Sequence, residues 1–335
     1  MVLPAIELTR AGMIELAGRT VAARTNVLGD VIVRSRPPPS PGSEIAEDVI
    51  DVIGADRLAS GLVDRAAAIR LPVTPDDRSR VDAHRKSIAI ADATRLQVLK
   101  LDGTERCEAE YDNAENAYCL FTADGKGVWH LCRRGDDIGL ELRDAGTGRR
   151  VVARAIEVAN AEGASWWLER PHPTLPVIPV SAGMGEEGSI CTIAAATKDA
   201  LALTREARDV GFAGWSPSGK VYATLGHHDD RLVLHRYPDH GEIATIDLAP
   251  VLGELGDGHQ WEVLFADDDR FVVPTSEGRL LWFPDRATPT ELRLAGDTRV
   301  WDWAVVALAG TYLVTIRHRD AAAAVWDAAH VLATS

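Results

Sequence analysis

The sequence predicts an all-β chain built from repeated four-stranded units, and three observations predict it. Residues 209–248, DVGFAGWSPSGKVYATLGHHDDRLVLHRYPDHGEIATIDL, read as four short strands joined by tight turns. Six aspartates, Asp102, Asp144, Asp199, Asp239, Asp285 and Asp327, each stand just after a strand-like run, at intervals of 42, 55, 40, 46 and 42 residues. A turn of one flavour follows an apolar run in three units: FTADGK (121–126), WSPSGK (215–220) and FADDDR (265–270). Two markers that keep the same order along a chain indicate an internal repeat.

The clearest unit shows why each piece is a strand. Phe212 to Trp215 is an apolar run ended by Ser216-Pro217-Ser218-Gly219, where proline fixes φ and glycine supplies positive φ. Val221 to Leu225 is rich in β-branched and aromatic residues, and Gly226-His227-His228-Asp229-Asp230 breaks it. Leu232, Leu234 and Arg236 alternate with Val233, His235 and Tyr237, the period-two signature of a strand. Pro238-Asp239-His240-Gly241 turns the chain into Ile243 to Leu248. Four antiparallel strands in about forty residues make one blade of a β-propeller.

The order resembles that of WD-repeat propellers. Trp326-Asp327 stands where that family has its Trp-Asp dipeptide, and Gly258-His259 lies where it often has Gly-His. The resemblance covers residues 72–335 and is degenerate, since no unit carries both pairs. It implies a ring of about seven four-stranded blades, with six as the alternative. It also implies that the aspartates are structural.

Before residue 72 the pattern changes. Residues 1–36 give short strand-like pieces (Ala5 to Leu8, Met13 to Leu16, Thr20 to Arg24, Val31 to Arg34) that form a blade of their own or complete the last one. Residues 37–71 hold a proline-rich loop, Arg36-Pro37-Pro38-Pro39-Ser40-Pro41-Gly42, and then a short helical insertion near 43–70. Ser43 can cap a helix with Glu44, Glu47 and Asp48 at its positive end, and Ile45, Val49, Val52 and Ile53 share one helical face.

Composition limits the functions. Of 335 residues, 36 are Lys or Arg and 50 are Asp or Glu, a formal charge of −14. That charge repels phosphate backbones and anionic lipid, which argues against nucleic acid and membrane surfaces and suits a basic partner. Cys107, Cys119, Cys132 and Cys191 lie in strand-like runs without a CxxC pair, so they read as buried thiols. With no secretory signal and no apolar run long enough for a membrane helix, a reduced, cytoplasmic location of bacterial type is expected.

The turns between second and third strands, with the loops before first strands, fall on one face of such a ring. They supply the candidate binding residues Arg134, Asp136, His227, His228, Asp229, His259, Arg317 and His318, with Trp301 and Trp303 as exposed anchors. His227, His228 and Asp229 are weak candidates for a metal, because adjacent residues point in different directions and need ligands from other blades. Asp267-Asp268-Asp269 lacks the spacing of a calcium loop. There is no glycine-rich phosphate loop, nucleophile elbow or dinucleotide fingerprint, and no cofactor is implied. The reading that follows is a non-catalytic scaffold presenting one face to a protein or peptide partner. The alternatives are a propeller enzyme (metal-assisted hydrolase, lyase or isomerase) with a His/Asp site at the central channel, and a propeller that binds a small molecule or sugar through loop tryptophans.

Overall fold

A computed structural model describes residues 3–38, 48–64, 66–70, 80–85, 87–111, 116–134, 137–157, 163–185, 188–227, 230–252, 262–275, 278–296 and 303–332. The chain starts with a long strand, β1 (Ala5–Glu15). A first sheet follows: β2 (Arg19–Thr25), β3 (Val31–Arg36), β4 (Val49–Ile53), the short helix α1 (Ala55–Ala59) and β5 (Ala67–Arg70). The second has β6 (Arg80–His84), β7 (Ser87–Ala91), β8 (Arg95–Lys100) and β9 (Glu105–Glu110). The third has β10 (Asn116–Phe121), β11 (Gly127–Arg134), β12 (Asp137–Asp144) and β13 (Arg150–Ala155). The fourth has β14 (Ser165–Leu168), β15 (Val177–Gly183), β16 (Ser189–Ala196) and β17 (Leu201–Arg208). The fifth has β18 (Val210–Trp215), β19 (Val221–Gly226), β20 (Arg231–Arg236) and β21 (Glu242–Asp247). After α2 (Ala249–Leu252) come β22 (Leu264–Phe265), β23 (Phe271–Pro274), β24 (Leu280–Phe283) and β25 (Thr290–Leu294). The chain ends with β26 (Trp303–Ala309), β27 (Tyr312–Arg317), β28 (Ala322–Asp327) and α3 (Ala329–Leu332).

Among the described residues five four-stranded sheets stand separately, each an up-and-down meander. The other strands form one eight-stranded sheet in the order β22-β23-β24-β25-β1-β28-β27-β26. The count of separate blades is therefore five, which corrects the expectation of seven or six. The reason is β1. Ala5 to Leu8 run parallel to β25, with Leu8 opposite Leu294, and Thr9 to Glu15 run antiparallel to β28, with Thr9 opposite Asp327. Ala11 is the extra residue between the paired positions Arg10 and Gly12, a bulge that turns the strand.

The helical reading of residues 43–70 also needs correction. Val49–Ile53 is the third strand of the first sheet, paired with β3 and β5, and helix is confined to Ala55–Ala59. The sequence misleads because Asp48 and Asp51 look solvent-facing, which breaks the run and leaves a helical spacing. Both are in fact buried at 0% exposure. Asp48 is clamped by Arg34 and Arg36, and Asp51 accepts from Ser35 Oγ (2.6 Å) and Ala17 N (2.9 Å). Buried carboxylates are tolerated when paired in this way. Residues 39–47, including the expected cap Ser43, lie outside the described residues.

Apolar cores fill the space between neighbouring sheets. Ile32, Ile50 and Ile88 join the first and second, and Leu142, Trp129 and Ile178 the third and fourth. Trp282, Val306 and Trp326 join the two halves of the eight-stranded sheet, while Val314 and Val325 meet Val31 and Val33 of the first sheet. Of the strand tryptophans, Trp129, Trp166, Trp215, Trp282 and Trp326 are buried in apolar cores, while Trp167 is half-buried. The repeating aspartates sit at or just after the end of the third strand of their sheets, and all but Asp199, whose turn is capped by Thr197 Oγ1, cap the turn there. Asp144 Oδ1 accepts from Gly146 N and Thr147 N, Asp285 Oδ1 from Ala287 N and Thr288 N, and Asp327 Oδ1 from Ala329 N.

A second repeated device rivets sheets together. His84 Nε2 donates to Ala123 O and His172 Nε2 to Gly219 O, each at 3.0 Å, so each ring closes over the first turn of the next sheet. Gly125 and Gly219 lie there with φ of 68° and 73°, and a Cβ at either would collide with the imidazole. His172 reads in sequence as a loop residue between prolines. It is instead buried, packs on Trp215 and Tyr237, and accepts at Nδ1 from Thr174 N and Leu175 N. No helix among the described residues is long and apolar enough to cross a membrane.

Leu8 is fully buried where β1 meets both neighbours, so Leu8→Ala should cost about 2–5 kcal/mol in chemical denaturation. A loss under about 0.5 kcal/mol, the range of a surface substitution, would show that β1 does not hold the eight-stranded sheet together.

Candidate functional site

In an antiparallel meander the start of the first strand and the turn between the second and third share one edge of the sheet. First strands of neighbouring sheets touch one another (β2 with β26, β6 with β10, β10 with β14, β18 with β22), so they line the axis of the ring. The edge they share with the second-to-third turns is one face of the molecule, and of the sequence-derived candidates His227 and His318 stand on it.

That face holds a pocket of about 970 Å³ between the first and second sheets. The start of β2 supplies Arg19, β3 supplies Arg34 and Arg36, the start of β6 supplies Arg80, and the β27–β28 turn supplies His318 and Arg319. The turn is docked on β2. Thr20 Oγ1 donates to Asp320 O (2.7 Å), and Arg319 N donates to Thr20 O (3.3 Å). Ile32, Arg34 and Arg36 share a face of β3 by strand alternation, with Ile50 opposite Arg34 on β4. The pocket therefore has an apolar floor and a cationic rim.

The charges of the rim differ in their partners. Arg36 Nε donates to Asp48 Oδ1 (2.8 Å) and Arg34 reaches the other oxygen. Burial pushes the Asp48 carboxyl up, but the two guanidinium groups outweigh it and hold it below the usual range. Arg24, deeper in the pocket, pairs with Asp82 (3.1 Å), whose burial raises its pKa in spite of that partner. Arg80 lies over the Tyr118 ring, 4.9 Å from its centroid. Among the described residues no carboxylate pairs with Arg19, Arg80 or Arg319, and Arg19 and Arg319 are exposed.

Of the sequence candidates, His318 lines this pocket. Arg317 is buried at 4% exposure, so it supports the turn from within and does not face a partner. His227 stands elsewhere on the face, its Nε2 donating to Gly185 O of the neighbouring hairpin (3.1 Å). Asp136, His228, Asp229, His259 and Trp301 lie outside the described residues, as do the side chains of Arg134 and Trp303. Among the described residues no three His, Cys, Asp or Glu side chains gather as a metal site. Asp267 caps Asp269 N and Arg270 N and pairs with Arg270, as a turn residue does. Sequence reasoning passed over Arg19, Arg34, Arg36, Arg80 and Arg319. The signal was the Arg34-Ser35-Arg36 alternation, which puts two guanidinium groups on one strand face.

A second cavity, of about 360 Å³, lies on the axis, lined by Arg24, Leu120, Glu169, Arg170, Phe212, Glu262 and Val305 from first strands or their flanks. Among the described residues, the lining of this axial cavity contains no histidine. Glu169 and Glu262 are reached by water through the cavity yet enclosed by protein, and burial pushes each carboxyl up to about 7. Trp167 Nε1 donates to Glu169 Oε1 (2.6 Å); Ser181 Oγ stands near without making a hydrogen bond. Glu262 is opposed by Arg170, whose own pKa burial lowers.

The sign of the resulting pH dependence is fixed. Glu169 holds its proton more tightly folded than unfolded, so its contribution is full below the unfolded carboxyl range and is lost as pH rises through about 7. Glu169→Gln keeps the acceptor for Trp167 and removes the ionisation. The variant should melt several degrees above wild type at about pH 8 and level with it at about pH 4. An identical melting difference at both values would show that Glu169 ionises without cost.

No family model matches the chain, and no curated protein sequence matches it. Solved structures do. The WD40 domain of Neurospora crassa Pan2 superposes with a TM-score of 0.61 at 10% identity, covering 96% of this chain and 95% of that one. The Myceliophteria thermophila Cps50 (Swd1) β-propeller domain gives 0.60 at 12% identity over 92% and 97%. A chain of the mitotic checkpoint complex gives 0.58 at 14% over 95% and 91%. The fold of this chain is that of a WD-repeat-like β-propeller.

Proposed function

We propose that the protein is a non-catalytic interaction module that presents the edge bearing the second-to-third turns to a protein or peptide partner. The observation that carries this is the arginine-rimmed pocket of about 970 Å³ on that edge, built by three different parts of the chain. Arginine is enriched at energetic centres of interfaces. One similar chain is part of the mitotic checkpoint complex, which supports a scaffold role by analogy of fold alone. The axial cavity, with Glu169, Arg170 and Glu262, favours small-molecule binding as the second reading.

The test is quantitative affinity purification of the full chain against an Arg19→Glu/Arg319→Glu variant. Both side chains are exposed, so the fold is kept. Partners enriched with wild type should be depleted at least tenfold with the variant, about 1.4 kcal/mol or more of binding. The same partners at the same yield in both would remove this edge from consideration.

A further inference from the structure

We propose that the arginine-rimmed pocket takes a short acidic peptide segment carrying aliphatic side chains. This names the partner chemistry and rests on the reading of that edge as partner-binding. Arg19, at the start of β2, and Arg319, in the turn docked on that strand, both line the opening, and neither has a carboxylate partner among the described residues. Guanidinium groups present a rigid fork that matches carboxylates bidentately. The charge of the rim is thus opposite in sign to that of the chain, which is −14 overall.

The floor selects among anions. Val21, Ala22 and Val81 are accessible there, over the buried Ile32 and Ile50. An inorganic phosphate would satisfy the rim and leave this apolar surface wet. A peptide with alternating acidic and aliphatic residues satisfies both, its carboxylates on the arginines and its methyl groups on the floor. The volume, about 970 Å³, holds a few residues and no more. A long polyanion would leave the pocket and meet the acidic remainder of the surface, so nucleic acid is disfavoured.

The experiment is fluorescence anisotropy on the purified full chain with three labelled peptides of about ten residues, long enough to cross the pocket extended. One alternates Glu and Leu, one Glu and Ser, and one Lys and Leu. The Glu/Leu peptide should bind. The Glu/Ser peptide should bind about tenfold more weakly, and the Lys/Leu peptide should not bind. Arg19→Glu and Arg319→Glu should each weaken the Glu/Leu peptide about tenfold, whereas Lys198→Glu, in a turn on the opposite edge, should leave it unchanged. Inorganic phosphate at about 10 mM should not displace the peptide beyond the effect of the same ionic strength of chloride. Equal affinity for the Glu/Leu and Glu/Ser peptides, displacement by phosphate, or indifference to both arginine reversals would overturn the proposal. So would failure of the Glu/Leu peptide to bind, and if cellular partners still required Arg19 and Arg319, the interaction reading would stand and only the acidic-aliphatic chemistry would fall.

Discussion

The ring depends on β1, a strand bonded on both sides by strands from the far end of the sequence. Leu8 sits at the change from parallel to antiparallel pairing and is fully buried between Trp282, Leu292 and Trp326. Arg10 lies 5.0 Å over the Trp326 ring, and Trp326 Nε1 donates to Thr315 Oγ1 (2.9 Å), so the junction is satisfied in both its apolar and its polar groups. Without β1 the outer strand of one sheet and the third strand of another would each show a free edge. The cavities described above exist because that junction fixes the sheets around one axis.

Local polar devices set the angles between sheets. The turn aspartates hold the outer loops, and the buried His84 and His172 close over glycine-bearing turns of the next sheet. The buried Asp48, Asp51 and Asp82 tie strand to strand where the pocket opens. These groups are hydrogen-bonded or ion-paired, so their burial is sustainable, and the exposed arginines of the rim are left as the charges available to another molecule.

Much of the fold was legible in the sequence. The period of the aspartates gave the phase of the repeat, and the structure places those aspartates at or just after the ends of third strands. Legibility failed where tertiary contacts override local pattern. Val49 to Ile53 reads as helix because Asp51 in its middle looks exposed, and only Ser35 and Ala17, distant in sequence, reveal why it is not. The site was legible in kind and not in place. His318 was marked by its turn, but Arg19 and Arg80 stand at strand starts in separate sheets, and nothing local relates them. Glu169 and Glu262 escaped for the same reason, since their shared cavity is a product of ring geometry.

The double pairing of β1 also orders events in time. The five separate sheets are each made from one continuous stretch, so the strand pairing within each needs no segment synthesised later. β1 precedes its partner β28 by all the sheets between them, since Thr9 must wait for Asp327. During synthesis β1 is therefore an unmatched ribbon until β28 follows. Closing this sheet brings together Thr9 and Asp327, 318 residues apart in the sequence, so its cost is one of loop-closure entropy that no single sheet repays.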